Sequence, residues 1–397
     1  MSLRFRLSFL LLTTPFFLLY VSQFLSSKSS CSSSLSYIKS KPVHVIAVSS
    51  WRSGSSFLGQ IFNHHKDVFY LFEPGHSVWM KLRDQSAELL AYPVRDLLRS
   101  LLTCDVSPLR HYLPKGGKHI SEMKFFAESR ALCSPPSCSA FIPFEGYDRE
   151  SCFYRCVNST LDEMAEACRR YTHIVMKTVR ILDLSVLLPL LRDPELNLRI
   201  IHLVRDPRAV ALSRKSFPLD IDNRIILKNE NISKGMSSIN EVMRKICKAQ
   251  VAMNKLARVS LSGRYMVIRH EDLARFPVES IKQIYDFSEL PLTEEMEQWM
   301  YNITHEEVRG VGQFMTFSRE SSKVIGRWRT KADFNFIHQI QLLCKEAMSV
   351  FGYLPVRSKK EQGNMTLEII KDEWSENERP PNHHRSPLSK DNGKNPT

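Results

Sequence analysis

Residues 43–57 read V-H-V-I-A-V-S-S-W-R-S-G-S-S-F, and the fold turns on this stretch. Its first half is a short β-branched and apolar run, the mark of a buried strand. Its second half is small and hydroxylated, with one arginine before apolar residues resume. A strand that ends in such a turn and opens a helix forms an anion cradle, because backbone N–H groups of the turn and of the first helical turn converge on one point. Ser49, Ser50 and Trp51 lead into the turn, Ser53, Ser55 and Ser56 add hydroxyl donors, Gly54 permits close approach, and Arg52 adds fork-shaped, charge-assisted donors. The implied ligand is a phosphate or sulfate group. The competing reading is an ordinary strand, serine cap and helix, since the residues do not form the triphosphate motif G-x-x-x-x-G-K-[ST].

Outward from this stretch the chain alternates strand and helix patterns. Residues 67–72 (D-V-F-Y-L-F) form a strand that stops at Glu73-Pro74-Gly75, where proline and glycine impose a turn. Further strands are expected at 172–179, which carries Lys177, at 198–204 and at 264–269. Helical patterns occupy 55–63, 78–102 with an interruption at Pro93, 182–191, 208–215, part of 231–259, 278–287 and 334–351. The order implies an α/β fold with a central, mostly parallel sheet flanked by helices, and sites outside the carboxyl ends of its strands. That brings the 49–56 loop, Glu73, Lys177 and Arg205 to one edge. Residues 105–150, rich in proline, glycine and cysteine, read as a disulfide-braced insertion that shapes a groove. Residues 302–328 read as a polar flap.

The second anion-binding candidate is V-R-D-P-R-A-V-A-L-S-R at 204–214. Arg205 ends a strong strand and Ser213 lies in the next helix, so together they could hold one phosphate; the alternative is surface arginines pairing with Asp206. Two anion sites on one sheet edge imply a ligand with two separated anionic groups. An adenosine diphosphate phosphorylated on both its 5′ and 3′ sides fits better than a dinucleotide, for which G-x-G-x-x-G is missing.

The 397 residues carry 55 Lys and Arg against 42 Asp and Glu, a formal charge of +13, which attracts anions. No helix-turn-helix, paired zinc-finger or aromatic RNA-binding pattern accompanies the charge, so nucleic acid is not the expected partner. After a short tail with two arginines (1–6), the run 7–25 is apolar enough to cross a bilayer and longer than a signal-peptide core, which favours an uncleaved signal-anchor over a cleaved signal. The basic end then faces the cytosol, 26–41 forms a serine-rich stem, 42–357 is the lumenal domain, and 358–397 is a polar, partly disordered tail. Four sequons, at Asn158, Asn231, Asn302 and Asn364, agree with a lumenal location. Eight of the nine cysteines lie beyond the stem, enough for four disulfides of undeduced connectivity, and Cys31 is left over to join two chains as a homodimer. The spacings at Cys133/Cys138 and Cys152/Cys156 also invite zinc, but no compact histidine set accompanies them, and no metal is expected.

These residues resemble the Golgi carbohydrate 6-O-sulfotransferases that act on N-acetylglucosamine or galactose. S-S-W-R-S-G-S-S at 49–56 matches that family's 5′-phosphosulfate loop, and V-R-D-P-R-A-V with Ser213 matches its 3′-phosphate site. F-Y-L-F-E-P at 69–74, R-A-L-C at 130–133, D-P-x-L-N-L-R-I at 193–200 and H-E-D-L-A at 270–274 extend the resemblance over roughly 42–357. The tryptophan of S-S-W-R points to the N-acetylglucosamine branch. The resemblance implies a Golgi membrane enzyme, 3′-phosphoadenylyl sulfate (PAPS) as donor, and a glycan acceptor carrying N-acetylglucosamine or galactose. Galactose or N-acetylgalactosamine in keratan or chondroitin chains is the alternative acceptor, and a lectin without turnover is the alternative class.

Under this resemblance Arg52 and the rest of the 49–56 loop bind the donor's 5′ side, while Arg205 and Ser213 hold its 3′-phosphate. Glu73 is the first choice for general base, or else a salt-bridge partner orienting Arg52. Lys177 contacts sulfate or completes a charged pair; the related enzymes place a glutamate after it, where this chain has Thr178. His270 stands where tyrosine is common and receives no catalytic role. Trp328, in a late W-R element, folds over the nucleotide or belongs to the core.

Overall fold

Strand β1 (Val43–Ser49) lies in the middle of a five-stranded sheet because its side chains are apolar on both faces. Ile46 and Val48 pack into one core, whereas Val43, Val45 and Ala47 pack into the other. A strand covered on both sides reads as a continuous hydrophobic run rather than an alternating one. In the computed structural model, which describes residues 41–114, 116–141, 148–228, 238–305 and 325–371, the remaining strands are β2 (Val68–Phe72), β3 (His173–Thr178), β4 (Asn197–Val204) and β5 (Tyr265–Arg269). They pair in the order β2-β3-β1-β4-β5, every pair parallel. The chain leaves β1 towards one edge and crosses it between β3 and β4, which makes the carboxyl end of β1 the switch point where α/β sheets place their ligands.

Helices cover both faces. Ser55–His64, Pro277–Ser288 and Glu294–His305 bury Leu58, Ile61, Ile281, Ile284 and Met300 on one side. Ala87–Leu102 and the long helix Ser238–Ser260 bury Leu98, Leu101, Val242 and Ile246 on the other. The register sets Ala47 opposite Lys177 and Lys177 opposite Phe72, and Val204 opposite Arg269. The exits of all five strands therefore share one edge, as the alternation predicts.

Several element boundaries differ from expectation. The apolar stretch near 78–102 is two helices, Gly75–Lys81 and Ala87–Leu102. The break falls before Ser86, whose hydroxyl caps the second helix on the Leu89 N–H. Pro93 stays inside that helix, past its first turn, and the one backbone bond it removes does not end a helix whose Leu90, Val94, Leu97 and Leu101 are buried. Glu73-Pro74-Gly75 leads straight into a helix, with Pro74 at its start. The stretch 334–351 divides at Cys344 into Phe334–Leu343 and Lys345–Val350. The expected flap begins inside the helix Glu294–His305 and ends inside the helix Arg327–Lys331, its middle lying outside the described residues.

The folded domain also runs past 357. Ile369 and Ile370 are buried, Tyr353 bridges Ile370, and Arg329 donates to the carbonyls of Gln362 and Leu367, so 358–371 is part of the domain. The 7–25 run and residues 26–40 of the stem lie outside the described residues, among which no helix is long and apolar enough to cross a membrane.

The eight cysteines beyond the stem form four disulfides: Cys104–Cys168, Cys133–Cys152, Cys138–Cys156 and Cys247–Cys344. The two closely spaced pairs that invited zinc thus cross-link the insertion to the helix Arg149–Arg155, through Cys152, and to its C-cap, Cys156, instead. Cys247–Cys344 ties the long helix to the C-terminal helices across a separation of 97 residues, so it restricts a large loop of the unfolded chain. Replacing both cysteines with alanine is expected to cost about 2–4 kcal/mol; denaturant unfolding with unchanged stability would contradict that.

Candidate active site

The turn after β1 is held in an uncommon conformation. Arg52 has φ 70° and Gly54 φ 87°, so the chain passes twice through the left-handed region within three residues. Arginine adopts that region only when surroundings enforce it. Three contacts do so: Arg205 donates from Nη1 to the Arg52 carbonyl at 3.0 Å, Arg52 donates from Nε to Ser213 Oγ at 3.0 Å, and the Arg52 guanidinium lies 4.4 Å from the Phe217 ring. Ser53 closes the turn by donating its hydroxyl to the Ser50 carbonyl at 2.6 Å. The helix Ser55–His64 then starts from Gly54 with no side-chain cap. Its first N–H groups have no partner within the helix, as an anion site requires.

The two stretches read separately as anion-binding candidates are thus joined, with Arg52 bonded to both Arg205 and Ser213. Arg205 and Ser213 come together because Pro207 starts the helix Pro207–Lys215 directly after β4. The turn between them is rigid. Glu271, fully buried, accepts from the Asp206 N–H at 3.1 Å and from the Tyr353 hydroxyl at 2.8 Å. Asp206 in turn holds Arg208, which also donates to Gln341 and to the Leu354 carbonyl and lies 4.2 Å over the Trp328 ring. Arg208 is a buried brace rather than a surface charge. Trp328 is 1 % exposed and lies in the core behind this turn, not over the loop.

Glu73 follows β2 directly, with φ 49°. One carboxylate oxygen accepts from Lys177 Nζ and the other from Arg180 Nη1. Its partners are therefore Lys177 and Arg180, and not Arg52 as the salt-bridge alternative supposed. Burial alone would raise its pKa, but the two cations outweigh burial and hold it far below the ordinary carboxylate range. Lys177, in β3, is almost fully buried and also sits 3.9 Å from the centre of the Phe72 ring.

Sequence reasoning missed Arg180, three residues beyond Lys177 and just past the end of β3, where a basic residue on a strand exit was the available signal. It also gave His270 no part. His270 opens the helix His270–Arg275 at the end of β5, with its ring against Gly54; a Cβ built on Gly54 would fall on His270 Nδ1. Burial, then the Arg205 charge, push His270 well below its ordinary value, so the ring is neutral.

A family model described as the sulfotransferase domain matches residues 42–352. The chain is 44 % identical over 337 residues to human carbohydrate sulfotransferase 6, covering 83 % of this chain and 85 % of that one. This chain belongs to the carbohydrate sulfotransferase family. It is also 43 % identical to human carbohydrate sulfotransferase 5, with 83 % and 82 % of the two chains covered. To mouse carbohydrate sulfotransferase 4 it is 40 % identical over 83 % of this chain and 87 % of that one.

Two stability predictions follow from the geometry. Gly54→Ala should lose about 1–3 kcal/mol, whereas Gly263→Ala, also at positive φ but with open space around it, should lose less; equal losses in thermal unfolding would mean His270 does not confine Gly54. Glu73 has a folded-state pKa below its unfolded value, so its contribution is complete above the ordinary value of 4.5 and is lost as pH falls below it. Glu73→Gln should accordingly be less stable than the parent at neutral pH, with the difference shrinking in acid; a constant difference would argue against the ion pairs.

Proposed function

We propose that this carbohydrate sulfotransferase moves a sulfuryl group from PAPS to the 6-hydroxyl of N-acetylglucosamine in a glycoprotein or keratan-type glycan. The observation that carries the donor assignment is a set of buried polar atoms around the loop with no partner: Ser49 Oγ, Ser50 Oγ, Arg205 Nε and both ring nitrogens of His270. Buried donors left unpaired are costly, so a phosphate entering the cradle satisfies groups that the protein itself leaves open. PAPS supplies an activated sulfuryl group bonded to its 5′-phosphate.

The loop 49–56 binds that 5′ side, and Arg52, fixed by Ser213 and Arg205, stabilises the charge that develops on the departing phosphate. Arg205 and Ser213 hold the 3′-phosphate, with Trp328 supporting them through Arg208. Glu73 is the general base for the sugar hydroxyl. To take that proton it must first give up its bond to Lys177, so Lys177 turns from Glu73 to the sulfuryl oxygens when substrate is bound. Arg180 stays on the other Glu73 oxygen and keeps the carboxylate oriented. The apolar run 7–25, the disulfides and the sequons support a single-pass Golgi membrane protein with a lumenal catalytic domain. Cys31 offers a link for a homodimer, and no metal enters the chemistry.

The test is to incubate the full chain with sulfate-labelled donor and acceptors ending in N-acetylglucosamine, galactose or N-acetylgalactosamine. Label on N-acetylglucosamine O6 is expected; label on galactose or N-acetylgalactosamine would move the acceptor assignment, and no transfer at all would overturn the reading. Arg52→Ala should slow transfer by about 10²–10³-fold. Glu73→Gln should slow it by about 10²–10⁴-fold with nucleotide affinity kept, and an equal loss of affinity would make Glu73 purely structural.

A further inference from the structure

A second cluster of cationic groups, each with N–H donors left unpaired, gathers around Trp51 in the same loop. Trp51, 6 % exposed, has the Arg180 guanidinium 5.5 Å and the Arg214 guanidinium 5.6 Å from its ring, and the Trp79 ring at 5.3 Å. Both arginines are 3 % exposed. Arg214 has a hydrogen bond from Nη2 to Asn223, but its Nε and Nη1 have no partner. Arg180 bonds Glu73 and Asp222, and its Nε has none; the indole N–H groups of Trp51 and Trp79 are also unpaired. Five buried donor nitrogens, on four side chains gathered around the Trp51 ring, thus have no acceptor within the protein.

The charge is equally unbalanced. Lys177, Arg180 and Arg214, with Arg52 beside Arg214, face Glu73 and Asp222, and the third carboxylate felt at Lys177, Glu128, is itself paired with Arg149. Burial pushes Arg214 down to about 10, Asp222 opposes that shift, and Arg52 adds to it. A guanidinium stays protonated there, so the excess positive charge persists at physiological pH. Burying unpaired charge is expensive, and an anion in the cluster removes both the charge excess and the unpaired donors.

Strand order assigns that anion to the acceptor. The groups assigned to the nucleotide, Arg205 and His270, follow β4 and β5, on one side of β1. Glu73 and Arg180 follow β2 and β3, on the other. Arg214, although it belongs to the helix after β4, turns its guanidinium to Trp51 and to the Asp222 side. We infer that Arg214, Arg180 and Trp51 form a subsite for an anionic group, a sulfate ester or a carboxylate, carried by the acceptor glycan beside the sugar being modified. This rests on the sulfotransferase reading above, and it makes the enzyme selective for glycans that are already acidic.

Calorimetry on the full-length chain saturated with 3′-phosphoadenosine 5′-phosphate tests it without needing turnover. The ligands are one disaccharide ending in N-acetylglucosamine in three forms: neutral, 6-sulfated on the neighbouring sugar, and carrying a uronic acid there. At least tenfold tighter binding of either acidic form is expected, and the two acidic arms separate sulfate from carboxylate. Arg214→Gln should bring acidic and neutral ligands to within twofold of each other while nucleotide affinity holds, and Arg214→Lys should keep part of the preference. Equal binding of all three ligands by the parent would show that ordered water alone satisfies the cluster and overturn the subsite. A tenfold loss of nucleotide affinity in Arg214→Gln would assign the arginine to the donor and overturn it as well. Failure of the sulfotransferase reading itself would show separately, as absence of label transfer.

Discussion

The site depends on how Arg52 is held. Its carbonyl accepts from Arg205 and its side chain donates to Ser213, so the turn after β1 is fastened to the turn after β4 at both ends of one residue. That fastening maintains a positive φ which arginine would otherwise avoid. Everything behind it serves to keep Arg205 and Ser213 in place: Glu271 and Tyr353 on the Asp206 backbone, then Arg208 locked by Asp206, Gln341 and Trp328. A loop prepared in this way loses little further order when an anion binds, which favours electrostatic stabilisation of a developing charge.

A second constraint lies on the opposite side of β1. Glu73 cannot act as a base while both its oxygens are held by cations, and the same cations cannot reach a sulfuryl group while held by Glu73. A base role for Glu73, as proposed, therefore requires an exchange of partners on substrate binding, with Lys177 the member to move because its single ammonium can leave one oxygen without disturbing the other. Arg180, bridging Glu73 and Asp222 beside Trp51, links this exchange to the cationic cluster.

Much of this was legible in the chain. Strand runs such as 43–49 and 198–204 are unambiguous because both faces are buried, and their exits name the loop, Glu73, Lys177 and Arg205. Less legible were contacts set by tertiary packing. Nothing local predicts that Arg52 bonds Ser213, 161 residues away, or that Glu73 takes Lys177 and Arg180 rather than Arg52. Pro93 misled because burial of the helix's apolar face outweighs the one backbone bond the proline removes, and 358–371 misled because its polar composition conceals Ile369 and Ile370, which anchor it. Trp328 illustrates the limit most clearly: an aromatic beside basic residues reads as a ligand platform, yet here the arginine it supports is its own neighbour in the core.

The most direct measurement is a calorimetric titration of the full-length chain with 3′-phosphoadenosine 5′-phosphate, with 5′-adenylate and NAD as comparison ligands. The account predicts one nucleotide bound per chain, and marked weakening when the 3′-phosphate is missing, because Arg205 and Ser213 then lose their ligand. Equal affinity for all three nucleotides, or no binding of any, would contradict it.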